Sequence, residues 1–158
     1  MSAELQAAPA TIREMRQTDV TVVATIEQGA YEFPWSPGIF RDCLLAGYTS
    51  LVLEHSGKVI GYGIMSVAAG EAHLLNLALS ESARRMGNGR RLLHHLMDLA
   101  RVAGAEGMYL EVRPSNRRAL ALYERSGFEV LGRRGGYYRA RGGTEGAVVL
   151  VHRFRRRR

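Results

Sequence analysis

Cysteine, lysine and tryptophan each occur once in this 158-residue chain, as Cys43, Lys58 and Trp35. A single cysteine excludes an intrachain disulfide and any multi-cysteine zinc cluster. Apolar runs are also short. The longest aliphatic stretch, Ala147 to Val151, falls far below the roughly 20 residues that a membrane-crossing helix requires. Met1 to Thr11 lacks the apolar segment of a secretory leader, so a soluble cytoplasmic protein is expected. What the chain does contain is 46% hydrophobic and 23% charged residues, enough for a packed core and too ordinary for wholesale disorder. At this length a single domain is expected, with its core over residues 11–154 and flexible ends at 1–10 and 155–158.

Charge is distributed unevenly. The net charge is +7, but residues 1–83 carry −5 and residues 84–158 carry +12. Such a split suits a second half that meets an anion, either nucleic acid or a phosphorylated cofactor. Every basic residue except Lys58 is arginine, which fits bidentate phosphate contacts and fits a genome-wide codon bias equally well.

No repeat period and no linker divides the chain. Thr11 to Arg16 alternates weakly and predicts a first strand. Asp19 is placed to cap a helix to about Tyr31, and Ser36-Pro37 to start a second helix through Ala46. Ser50–His55 and Lys58–Val67 flank Ser56-Gly57, a two-residue hairpin signal. A strand over Ala72–Leu79 leads through a glycine-containing basic loop into a helix whose inward face is Leu92, Leu93, Leu96, Leu99 and Ala100. Met108–Val112 reads as a buried strand, Ser115–Ser126 as a helix, and Val130–Tyr138 and Ala147–Phe154 as final strands. The expected class is α/β (α+β), one mixed and mostly antiparallel sheet with a central parallel strand pair flanked by helices.

Two segments carry chemistry. In the first, a strand ending near Leu79 meets Arg84-Arg85-Met86-Gly87-Asn88-Gly89-Arg90-Arg91 and then a long helix. Glycines let backbone approach a ligand closely, and free N–H groups at a helix start attract phosphate oxygens. A nucleoside-triphosphate loop is excluded because no Gly-Lys-Ser/Thr follows, and a dinucleotide fingerprint because the third glycine is missing. Read alone, the segment is equally a glycine turn with solvated arginines. In the second, Ser115 is placed to cap a helix, with Asn116 in its first turn and Tyr123 two turns along the same face. Glu111, in an apolar strand, is expected as a partly buried carboxylate, a setting that lifts an acid toward useful base strength. The alternative is a structural helix with a core tyrosine.

Together the two segments resemble the GNAT acetyltransferase superfamily. Its acyl-CoA loop, Arg/Gln-x-x-Gly-x-Gly/Ala, is matched by Arg84, Gly87 and Gly89, and its later Asn…Ala-Leu-Tyr-x-x-x-Gly-Phe pattern from Asn116 to Phe128. Within it, Phe33-Pro34-Trp35-Ser36, Asn76-Leu77-Ala78-Leu79, Leu110-Glu111-Val112-Arg113 and Arg133-Arg134 before Tyr137-Tyr138 are similar to the RimI-type ribosomal-protein alanine N-acetyltransferases. Two positions depart from that pattern: Arg139 stands where a proline is usual, and Glu145-Gly146-Ala147 where Glu-Asp-Ala is usual.

The resemblance implies direct attack of an amine on acetyl-CoA, with no metal. Backbone groups of Leu77, Ala78 and Leu79 would hold the pantetheine arm and stabilise the oxyanion. The loop Arg84, Arg85, Met86, Gly87, Asn88, Gly89 and Arg90 would seat the pyrophosphate, and Asn116 would hydrogen-bond the cosubstrate. Tyr123, also against the cosubstrate, would protonate the departing thiolate, and Glu111 would accept the amine proton through a water. Cys43 has no role in a direct transfer and is expected to be structural. The implied acceptor is the N-terminal α-amine of an alanine on a small-subunit ribosomal protein with a basic start. An α-amine of pKa about 7.8 is roughly a quarter neutral near pH 7.4, whereas a lysine at about 10.4 is neutral only about once in a thousand.

Glu27, Glu32 and Asp42 stand near the acceptor-side segment, either to complement a basic peptide or as a solvated helix face. Tyr137 and Tyr138 either pack on the peptide or fill the sheet. The tail Arg155–Arg158 reads as a basic end touching ribosomal RNA by charge, or as an imitation of the basic substrate. His94 and His95 are adjacent and cannot share a metal from one helix. Other amines as acceptors, and a basic RNA-binding module with no enzymatic role, are the competing readings.

Overall fold

Hydrophobic spacing and turn chemistry set most of the element boundaries. The computed structural model describes residues 9–155. Seven strands are present: β1 (Thr11–Glu14), β2 (Thr49–His55), β3 (Lys58–Ala68), β4 (Glu71–Leu79), β5 (Gly107–Val112), β6 (Glu129–Ala140) and β7 (Gly143–Arg153). Four helices accompany them: α1 (Val20–Ala30), α2 (Pro37–Leu45), α3 (Asn88–Val102) and α4 (Arg117–Arg125). Of the ends expected to be flexible, residues 1–8 and 156–158 lie outside the described residues, and with them most of the basic tail on which the RNA and substrate-imitation readings rest.

One sheet of order β1-β2-β3-β4-β5-β7-β6 forms the middle layer. Only β4 and β5 run parallel, with α3 as their crossover, and all other neighbours are antiparallel. The expected fold class is therefore observed. Two cores cover the two faces. Leu92, Leu93, Leu96, Met97 and Ala100 of α3 pack with Leu110, Val112, Tyr123 and Phe128 on one side. Val23 and Ile26 of α1, Phe40 and Cys43 of α2 and Tyr62 and Ile64 of β3 pack on the other. Cys43 is buried there, and its thiol is pushed up by burial, in keeping with a structural residue.

The local signals worked where their chemistry was specific. Ser56 and Gly57 both adopt positive φ, at 50° and 77°, the geometry a two-residue hairpin turn needs. Ser36 caps α2, its hydroxyl accepting from the Ile39 N–H. Four details differ. The first strand stops at Glu14, because the next residues form a short 3-10 turn held by the Asp19 carboxylate, which accepts from the Arg16 N–H at 2.8 Å. In α3 the buried face also takes in Met97, while Leu99 is half-buried and packs at the edge of the same core. Asn116 rather than Ser115 caps α4, its Oδ1 accepting from the Ala119 N–H at 3.2 Å. Finally, β6 and β7 make a longer hairpin than expected, broken by a register shift between Arg134 and Tyr138 where Gly135 and Gly136 sit.

Candidate active site

The parallel pair β4–β5 is hydrogen-bonded only from Glu71–Leu74 to Gly107–Leu110. Beyond Leu74, β4 runs on to Leu79 and β5 to Val112 with no ladder between them. Leu75 has no partner on β3, whose Met65 and Ile64 pair with Leu74 and Asn76, so β4 carries a bulge where the strands part. Such a bulge bends its strand and frees backbone groups. The opening is a cleft of about 200 Å³ lined by β4, by β5, by α4 and by the segment after α1. Leu77 contributes to its wall, Ala78 is buried in the α1–α2 core beside it, and Leu79 ends the strand.

The two proton-handling candidates lie on opposite faces. Side chains alternate along a strand. Met108, Leu110 and Val112 of β5 face α3 and α4, so Glu111 faces α1 and α2. Its Oε1 lies 3.4 Å from Arg134 Nη2, while its Oε2 is sealed from solvent with no hydrogen-bond partner among the described residues. Tyr123 enters from α4, 7% exposed, its ring 5.7 Å from Phe128. Burial holds its phenol far above the usual range, so it keeps its proton. Both side chains line the same cleft, as does Asn116, whose Oδ1 is committed to the helix cap and whose amide nitrogen remains to donate.

The glycine loop before α3 is built as its spacing suggests. Gly87 caps α3 at φ 77°, a left-handed conformation that favours glycine, and Arg85 has φ 67°. The Asn88 side chain closes the loop by donating to the Ala83 carbonyl at 3.0 Å. Arg85, Met86 and Arg90 are exposed and Arg84 is half-buried. Arg91 departs from the expected basic cluster: its guanidinium donates to the Ala10 carbonyl and ties the chain start to α3.

Several residues of the site escaped sequence reasoning. Glu27, read as one of three acidic groups near the acceptor side, is 2% exposed. It accepts from the Trp35 N–H at 2.8 Å, from Asn76 Nδ2 at 2.8 Å and from the Tyr62 hydroxyl. It therefore anchors the post-α1 segment to β4 and offers no free acidic patch, leaving Glu32 and Asp42 as the exposed members of the trio. Burial, and then Glu27, push the Tyr62 phenol up. Tyr31 donates to the Leu77 carbonyl at 2.7 Å. Arg113 lies between two rings, 4.5 Å from Tyr138 and 5.4 Å from Phe33, with Glu145 Oε2 3.7 Å away. Glu145 also accepts from the Ser115 N–H and hydroxyl at 2.9 and 3.1 Å. These bonds, Ser115 foremost, hold its carboxyl below the usual range. The β6–β7 hairpin is thus pinned against the β5–α4 loop. Tyr138 lines the cleft, its phenol pushed up to about 12 by burial and by Glu111. Tyr137 stands 48% exposed, so neither tyrosine fills the sheet interior. Spacing along one strand cannot signal such contacts, since each joins elements far apart in sequence.

A model of the acetyltransferase (GNAT) family matches residues 12–128. The [ribosomal protein bS18]-alanine N-acetyltransferase of Escherichia coli strain K12 is 38% identical over 141 residues, covering 89% of this chain and 95% of that protein. The crystal structure of the Escherichia coli ribosomal-protein alanine N-acetyltransferase superposes with a TM-score of 0.84 at 37% identity, over 90% of this chain and 92% of that one. Ard1 from Thermoplasma volcanium superposes with a TM-score of 0.85 at 25% identity, over 94% and 100%.

Proposed function

The chain belongs to the GNAT acetyltransferase family, and from that premise we propose that it transfers the acetyl group of acetyl-CoA to the N-terminal α-amine of an alanine on ribosomal protein bS18, the reaction for which its Escherichia coli relative is named. The observation that carries the proposal is the parting of β4 from β5. It opens a cleft between a phenol that keeps its proton and a carboxylate with one unclaimed oxygen.

Acetyl-CoA would enter this cleft with its thioester end. Its pantetheine arm would replace the missing ladder along Leu77, Ala78 and Leu79, with an N–H near Leu79 toward the developing oxyanion. Its pyrophosphate would rest on backbone N–H groups from Arg85 to Arg90 at the start of α3, with Arg84 adding charge. The amide nitrogen of Asn116 would donate to the arm from the far wall.

In the reaction the α-amine nitrogen attacks the thioester carbonyl carbon. A new C–N bond forms, the C–S bond breaks, and the coenzyme sulfur leaves as thiolate. Tyr123 gives that sulfur its proton, and Glu111, through a water, takes the proton the amine sheds. No enzyme nucleophile is needed, in keeping with a Cys43 buried in the opposite core. The N-terminal amine suits this modest base because roughly a quarter of it is already neutral near pH 7.4, at a pKa of about 7.8.

One assay tests the proposal. Acetyl-CoA is offered with peptides beginning Ala-Arg, the same peptides N-terminally blocked, polyamines and RNA. Turnover confined to the free alanine terminus is expected. Equal turnover of polyamines or of the blocked peptides, whose only amines are lysines, would replace this acceptor with another amine.

A further inference from the structure

Arg134 is the only cation recorded against Glu111 among the described residues, and the fold goes to some length to bring it there. It sits on β6, two strands away from β5, with β7 between them. Cross-strand partners share a face of the sheet. Arg134 pairs with Ala147, and Glu111 pairs with Val149 two residues along β7. The three strands thus present Arg134, Ala147, Val149 and Glu111 on one face, and Ala147 puts only a methyl group beneath the crossing side chain.

Three further features fix that side chain. Tyr137 lies against the guanidinium, 4.7 Å from its centre, and its own phenol is pushed up by burial and then by Glu111. The register shift after Arg134 lets Arg134 and Tyr137 both approach the carboxylate, and Gly136 takes φ 62° within it. Across the bulge, a Cβ on Gly146 would come within 3.0 Å of the Arg134 carbonyl. The glycine that departs from the Glu-Asp-Ala pattern is therefore the residue that allows this close approach.

We propose that Arg134 is a positioning residue for the acceptor-side carboxylate. It draws Oε1 of Glu111 outward and so fixes the rotation of the group, with Oε2 presented to the incoming amine by way of the water. The two oxygens have divided roles: one is claimed by the hairpin and the other, buried and unpartnered, is left for the reaction. Because Arg134 comes from the β6–β7 hairpin, this contact also couples the seating of that hairpin to the chemistry. The inference rests on the reading of Glu111 as the proton acceptor.

Arg134→Ala is expected to lower kcat/KM for a free-alanine peptide several-fold, the scale of one half-exposed ion pair at 3.4 Å, mostly in kcat. The KM for acetyl-CoA and the thermal midpoint should stay unchanged. Arg134→Lys should return most of the rate, and millimolar guanidinium ion should raise the rate of Arg134→Ala without helping the wild type. In a Glu111→Gln background, Arg134→Ala should have no further effect. A loss that neither lysine nor guanidinium relieves, or the same loss in the Glu111→Gln background, overturns the inference. An inactive Glu111→Gln beside a fully active Arg134→Ala removes this inference alone. Wild-type turnover in Glu111→Gln removes the reading beneath it as well.

Discussion

The hydroxyl of Tyr31, at the end of the first helix, donates to the carbonyl of Leu77 at 2.7 Å, 46 residues further along the chain. That carbonyl belongs to the part of β4 that has lost its β5 partner. This stretch still pairs with β3 through Leu77, Ala78 and Leu79, and Tyr31 adds a second hold at the Leu77 carbonyl. Burial, with the nearby Glu27, pushes the Tyr31 phenol far up, so the donor keeps its proton at any working pH. Tyr31→Phe should cost about 1 kcal/mol of stability in urea titration, the net worth of one hydrogen bond. It should also raise the KM for acetyl-CoA several-fold, since the pantetheine arm is proposed to align on the same stretch. An unchanged KM would separate Leu77 from cosubstrate binding.

The two glycines of the loop proposed to seat the diphosphate are distinguishable by substitution. Gly87 has φ 77°, so Gly87→Ala forces a left-handed alanine at a cost of roughly 1–2 kcal/mol. Its effect on binding is then mixed with its effect on folding. Gly89 lies inside the first turn of α3, and a Cβ there meets Leu79 and Leu122 only at 3.5 and 3.6 Å, ordinary contact. Gly89→Ala should therefore leave the thermal midpoint unchanged or raise it slightly, because alanine favours helix over glycine by about 1 kcal/mol. Calorimetry should show coenzyme A binding near wild type in Gly89→Ala, because the loop pattern that this segment matches accepts alanine at that position, and weakened in Gly87→Ala, where the loop backbone itself is strained. A loss in Gly89→Ala as large as that in Gly87→Ala would show that the Gly89 Cβ position lies against the diphosphate.

The strand, loop and helix of the proposed cosubstrate half are legible in the sequence because their parts are local. A strand, a glycine turn at Gly87 and a helix start lie within twenty residues, and backbone chemistry dictates them directly. The α4 segment was legible for the same reason, apart from the one-residue displacement of its cap from Ser115 to Asn116. What stayed hidden was long-range. Nothing in the spacing of Glu27 distinguishes a solvated acid on a helix from a buried one, because its three donors come from Trp35, Tyr62 and Asn76 on other elements. Arg113 and Arg134 stand in family-like segments of the sequence, but their contacts exist only once the hairpin that carries Arg134 folds over Arg113.

Glu27 gives the sharpest stability prediction. Its Oε2 accepts from the Trp35 N–H, and its Oε1 from Asn76 and Tyr62. A glutamine in its place can accept at only one of the two positions, so one buried donor faces another. Glu27→Gln should destabilise by about 1–3 kcal/mol, with Glu27→Ala worse because all three donors lose their partner. Urea unfolding measures both. Because the Trp35 bond anchors the segment that also carries Phe33, the KM for the acceptor peptide should rise in Glu27→Gln with little change in that for acetyl-CoA.

Acid sensitivity should centre on Asp19. Its carboxylate accepts from Arg13 Nη1 and Nη2 at 2.8 and 2.9 Å and from the Arg16 N–H at 2.8 Å. Arg13 foremost holds its pKa below the ordinary value. A depressed acid stabilises the fold above its unfolded pKa of about 3.9 and loses that contribution as pH falls through the folded value. Stability measured between pH 6 and pH 2, a window of about four units chosen around that pKa, should therefore decline below about pH 4. In Asp19→Asn the decline should be shallower and the stability at neutral pH lower. An identical acid slope in the two proteins would assign the loss to other carboxylates.

Burial decides the direction in which Tyr123 can act. A phenol held well above its ordinary pKa of about 10 by burial remains protonated across any practical assay range. It can therefore serve as a proton donor to a leaving thiolate and cannot serve as the base. The kcat profile should accordingly show no descending limb from Tyr123 below about pH 10. Tyr123→Phe should lower kcat about a hundredfold, within the usual span for loss of a general acid. It should leave the fold intact, since the ring contact with Phe128 survives the change. The loss should also shrink when the leaving group needs no proton: an acetyl donor with a more acidic thiol should be turned over by Tyr123→Phe nearly as well as by the wild type. A variant equally impaired with both donors would show that Tyr123 positions the cosubstrate and does not protonate it.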